Sequence, residues 1–136
     1  MSDLDILQKL QGAVRDHAVP DSIAPSLPVK YLGIPWTVPS NQKYLELVHI
    51  PNNRIADFWG NEKNYQGIFR MILHWPNNGG GAYTPMETIM SIASYFTKDL
   101  RLPGVQIMSE PDFTGLLEMG SETLYPVSLR YQSYRK

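Results

Sequence analysis

The three histidines, His17, His49 and His74, are the side chains best suited to metal ligation or proton transfer in this sequence. No two of them are spaced to share a helix face, and no HExxH pattern occurs, so no familiar zinc arrangement is present. His49 and His74 fall on predicted strands and can face each other across a pair. With a carboxylate beside one of them, they would form the working pair of a small acid–base enzyme. A lone strand histidine more often packs or faces an interface. Glu46, Glu62, Glu110, Glu118 and Glu122 offer carboxylates, but their spacing selects no pair. Ser91, Ser94 and Ser121 lack the GxSxG setting of an activated nucleophile. The run Asn77-Asn78-Gly79-Gly80-Gly81 precedes a helix, where anions bind, yet it lacks the Lys-Ser/Thr of a phosphate loop. It reads as a turn. Trp36, Trp59, Tyr65 and Trp75 have faces on which bases stack, but no basic groove accompanies them, so packing is the better account. The residues therefore assign no catalytic group, no metal ligand and no cofactor, and the expectation is a protein that is not an enzyme.

Bulk composition agrees. Twelve basic and thirteen acidic residues leave a formal charge of −1, unlike the basic footprint of a nucleic-acid binder. No sequence-specific nucleic-acid contact is expected. The chain has no cysteine, so disulfides, thiolate zinc sites and cysteine nucleophiles are excluded. The first residues, Met-Ser-Asp-Leu-Asp, do not read as a signal peptide, and no apolar stretch has the length of a membrane span. The 136 residues suit one domain. Hydrophobic residues make up 43%, enough for a core, while charged residues at 18% cover the surface thinly. Thin charge favours a chain that hides part of its surface in an assembly.

The elements that position these residues follow from periodicity. Leu4, Ile6, Leu7, Leu10, Ala13 and Val14 mark an amphipathic helix over 1–19 that Pro20 stops. A proline-rich connection follows over 20–40, with a short extended piece between Val29 and Trp36. The sheet and a second helix occupy 41–134. Tyr44 to Ile50 forms a strand with Leu45 and Leu47 on one face. Residues 52–65 form a polar loop. Gln66 to Trp75 is the clearest strand: Ile68, Arg70, Ile72 and His74 face one way, and Phe69, Met71, Leu73 and Trp75 the other. Both faces are mostly apolar, which implies helices over one and another cover, such as a partner subunit, over the other. Thr84, Pro85 and Glu87 make a capping box for a helix running to about Lys98, with Met86, Ile89, Met90, Ala93 and Phe96 or Tyr95 inward. Strands over Val105–Ser109, Thr114–Met119 and Thr123–Tyr134 complete the order α-β-β-α-β-β-β. The predicted class is α+β: a mostly antiparallel or mixed sheet of about five strands with two helices on one face.

The chain from Tyr31 to Gln132 resembles the tail terminator-like, or tail-completion, proteins of long-tailed phages and prophages. The matching pieces are the N-terminal helix, Pro35-Trp36, Tyr44-Leu45-Glu46-Leu47, Tyr65-Gln66-Gly67-Ile68 and Pro76 with the Gly79–Gly81 turn. A helix ending near Tyr95-Phe96 and the strand Leu124-Tyr125-Pro126-Val127 complete the pattern. A tryptophan is common where this chain has Leu124-Tyr125. The resemblance implies a ring, typically a hexamer, on the head-proximal end of the tail tube, made in the host cytoplasm and carried in the virion. Its implied partners are copies of itself, the tail tube protein and the head connector protein, with no membrane and room for passive DNA passage. A connector or other minor tail protein is the alternative within the same machine. The expected contact loops hold Arg54, Phe58, Trp59, Lys63 and Tyr65, and Asn77, Asn78, Gly79, Gly80, Gly81 and Tyr83.

Overall fold

The computed structural model describes residues 3–20, 22, 27–39, 42–51, 55–56, 63–77, 83–97, 100–102, 105–113 and 115–135. Helix α1, Asp3–Ala13, places Ile6, Leu10 and Ala13 in the core and continues as a π-helical turn, Val14–Ala18. The wider turn is closed by Val19 N donating to the Val14 carbonyl (3.1 Å), and it keeps Val14 and Ala18 buried. Leu7 is only half-buried.

Among the described residues a mixed sheet of nine strands follows, several of them only two or three residues long. Strand β1 (Val29–Lys30) runs parallel to β2 (Tyr44–Pro51) at one edge. Next to β2 lies the long β4 (Lys63–Pro76), antiparallel, and next to that the equally long β9 (Glu122–Arg135). The short β3 (Ile55–Ala56) pairs with Asn64 and Lys63. The predicted polar loop over 52–65 is thus partly strand, because β4 begins at Lys63 rather than at Gln66.

Beyond β9 the outer strand is broken into pieces: β6 (Val105–Ile107), β7 (Asp112–Phe113) and β8 (Leu117–Met119), with β5 (Arg101–Leu102) outside β6. The breaks are visible in the register. Ile107 opposes Tyr131 and Phe113 opposes Val127, so six steps on the edge match four on β9. Between Phe113 and Leu117 four steps match three. Of the predicted Thr114–Met119 strand, Leu117–Met119 is strand, Gly115 and Leu116 are not, and Thr114 lies outside the described residues.

Helix α2, Tyr83–Ala93, starts one residue before the predicted cap and ends before Lys98. It turns Pro85, Thr88, Ile89, Ile92 and Ala93 inward, with Phe96 buried just beyond. Met90, expected inside, is exposed. Both helices pack on the sheet face formed by Leu45 and Leu47 of β2, Phe69, Met71 and Leu73 of β4, and Tyr125, Val127, Leu129 and Tyr131 of β9. Strict alternation on three paired strands makes this one apolar layer. The α+β class and the placement of both helices on one face agree with the pattern read from the sequence.

Candidate assembly surface

The opposite face of the sheet carries no helix among the described residues. Register places its side chains in rows across the strands. One row is Tyr44, His74, Leu124 and Leu117; another is Val48, Arg70, Ser128 and Asp112. Ile72 and Pro126 stand between them, and Ile50 and Ile68 lie toward the far end. Most of these residues are half-buried by their neighbours alone, and Ile50, Leu117 and Met119 are exposed. An apolar-rich face left without a second layer marks a surface for association.

Several polar groups on this face are paired. Arg70 Nε donates to Ser128 Oγ at 3.1 Å. His74 is 7% exposed and lies between two carboxylates, with Nε2 2.8 Å from Glu46 Oε1 and Nδ1 3.4 Å from Glu122 Oε1. An imidazolium donates to both carboxylates, whereas a neutral ring has a single N–H to give. Tyr44 stacks on the ring at 4.2 Å between centroids, and Lys30 Nζ approaches Glu46 at 3.7 Å. Burial, with the charges of Glu122 and Glu46 behind it, raises the Tyr44 phenol above its ordinary range. Trp36 leans on Tyr44 at 5.2 Å, its Nε1 buried with no acceptor among the described residues.

The expected pairing of His49 with His74 does not occur. They are on adjacent strands, but an odd offset in register puts them on opposite faces: Tyr44 is opposite His74 and His49 is opposite Phe69. His49 Nε2 meets the Tyr131 hydroxyl at 2.5 Å on the helix side. One histidine does meet carboxylates, as the enzyme reading required, although Glu46 and Glu122 approach opposite ring nitrogens and do not converge on a point. Among the described residues no group of three such side chains is arranged to hold a metal ion. The sequence offered no means of choosing Glu46 and Glu122 out of six glutamates, because their meeting depends on the register of three strands.

Of the loop residues expected to make contacts, Arg54, Phe58, Trp59, Asn78, Gly79, Gly80 and Gly81 lie outside the described residues. Lys63 and Tyr65 belong to β4, paired to Arg135 and Ser133, and are not loop residues. Asn77 is a structural lock. Its N–H donates to the Ser121 carbonyl (2.8 Å), its Nδ2 donates to the Gly120 carbonyl (3.1 Å), and its Oδ1 accepts from Thr123 Oγ1 (2.5 Å). Tyr83 is 80% exposed and stands with exposed Met90 on the outer side of α2, while Met86 is half-buried and packs against the core. Periodicity placed Met86 correctly against the core but wrongly put Met90 there.

A family model described as phage tail terminator protein matches residues 8–131. The chain belongs to the phage tail terminator family. It is accordingly a structural protein of the phage tail, and the open, apolar-rich sheet belongs to a chain of that kind. No curated protein matches it. A solved structure has the same fold, with a TM-score of 0.78 at 22% identity over 98% of this chain and 96% of its own.

Proposed function

We propose that this tail terminator family member closes into a ring on the head-proximal end of the tail tube, stops tube growth there, and offers the head connector its next surface. The observation that carries this reading is the family match over nearly the whole chain. The helix-free sheet face and the apolar edge around Leu117 and Met119 supply the surface that such a ring needs. Unlike patches that meet head to tail form a ring when their rotation closes. A formal charge of −1 gives DNA little to bind, which suits passive passage.

Deletion and complementation in the parent phage or prophage test the reading, with tail length measured by electron microscopy. Without the chain, tubes are expected to overgrow and remain headless, and supplying it restores length and head joining. Tubes of normal length that merely fail to join heads would assign the chain to the connector instead. Normal, head-bearing tails in its absence would overturn the tail-assembly reading altogether.

A further inference from the structure

Histidine is the side chain whose charge ordinarily changes near neutral pH, and His74 is buried on β4 with a carboxylate at each ring nitrogen. The two carboxylates arrive along opposite diagonals of the ladder. Glu46 of β2 opposes Ile72, two residues before His74, and Glu122 of β9 opposes Pro76, two residues after it. Long side chains reach across such diagonals. The imidazole thus bridges β2 to β9 over the strand between them.

The two contacts are unequal. Nε2 lies 2.8 Å from Glu46, which Lys30 of β1 also approaches. Nδ1 lies 3.4 Å from Glu122, which has no other cation beside it among the described residues. A charged imidazole donates to both carboxylates. A neutral one keeps a single N–H, and the nearer carboxylate takes it at Nε2. The lone pair then left on Nδ1 faces the Glu122 carboxylate and repels it. Among the described residues the titratable and charged groups facing the imidazole are Lys30, Tyr44, Glu46 and Glu122. Glu118 of β8 opposes Thr123 and so lies on the helix side. The Tyr44 phenol, raised by burial and by the same carboxylates, stays neutral while a histidine titrates.

Glu122 is the first residue of β9 and pairs with Met119 across the Gly120–Ser121 turn. Asn77 ties the same turn through hydrogen bonds that involve no titratable group. We propose that His74 is a second, proton-operated tie. With the imidazole charged it holds Glu122 and orders the β8–β9 turn. With the imidazole neutral it keeps Glu46, releases Glu122 and loosens the turn that carries the exposed Leu117 and Met119. The tie needs a charged imidazole and ionised carboxylates. It is lost as pH rises through the histidine titration and, separately, as pH falls through that of the carboxylates. The proposal concerns a single chain and does not rest on the ring reading.

Nuclear magnetic resonance of the isotope-labelled full chain tests it. Imidazole nitrogen and carbon shifts follow the His74 proton. Amide protection at Leu117–Glu122, corrected for the intrinsic exchange rate, follows the turn. In the wild type this protection is expected to fall roughly threefold to tenfold as His74 loses its proton, the scale of a charged hydrogen bond discounted for solvent. Protection at Phe69–Leu73 should not follow it. The neutral imidazole is expected to carry its proton on Nε2. Glu122→Gln changes one atom of a side chain that is 32% exposed. It should leave His74 titrating yet abolish the pH response of the turn. His74→Gln should abolish that response too, with circular dichroism to check that it folds; if it does not, Glu122→Gln decides alone. Four results would each overturn the proposal: turn protection that stays constant while His74 titrates, a pH response that survives Glu122→Gln, a neutral imidazole protonated at Nδ1, or an imidazole that keeps one charge state wherever the fold persists.

Discussion

At the scale of single residues, Gly67 shows how a missing side chain can organise others. The Tyr131 phenol lies over it on the way to His49, and the Ile50 carbonyl closes in from β2; an added Cβ would stand 2.5 Å from the Tyr131 hydroxyl and 2.8 Å from the Ile50 oxygen. One of those neighbours is backbone and cannot rotate aside. Gly67→Ala is therefore expected to destabilise the fold by about 1–3 kcal/mol, the usual cost of overpacking. Urea denaturation measures it, and an unchanged midpoint would refute the account. The tyrosines offer a second test. Burial raises the phenol of Tyr125, helped by the Glu118 charge, and burial also raises that of Tyr31. A raised phenol in the fold favours the neutral form. Its contribution is complete below the unfolded value near 10 and is lost as pH climbs through the folded value. Stability should fall between about pH 9 and 11, and Tyr125→Phe should fall less steeply across that interval.

Among the elements, the turn between β8 and β9 depends on β4 through Asn77. Three hydrogen bonds join that one side chain and its backbone N–H to Gly120, Ser121 and Thr123. Asn77→Ala removes the two side-chain bonds and should cost about 1–3 kcal/mol. Hydrogen exchange should report faster opening at Leu117–Met119 than at Phe69–Leu73, and equal acceleration in both places would deny the local role. The strands that carry this turn were partly legible beforehand. Alternation over Gln66–Trp75 and Val127–Tyr131 is clear because one face is fully apolar, so period two stands out. β3 and the first residues of β4 were hidden, since Ile55-Ala56 and Lys63-Asn64 are short and polar-flanked and gain order only by pairing. β5 and β7 are two residues each, too short for any period to show. The Glu46–His74–Glu122 cluster was unreadable for a related reason: adjacency in it comes from register across β2, β4 and β9, which no local spacing encodes.

For the molecule as a whole, one layer of helices covers one side of the sheet, and among the described residues no helix covers the other. A ring stabilises its members by mass action, so the melting temperature should rise with protein concentration, by roughly a few degrees per tenfold. A melting temperature constant across a hundredfold range would count against a stable assembly of free chains. The proposed ring would also bring a hazard, because it gathers many copies whose sheet edges lie close together. The displaced register along 105–119 bears on that hazard. Cross-β fibrils grow when a straight, unbroken backbone ladder templates the next chain at every residue. Here the donors and acceptors come in short runs, offset by two residues and then by one, so a newcomer that pairs with one run is out of step with the next. Crowded copies can thus dock through side chains without seeding endless strand-on-strand growth.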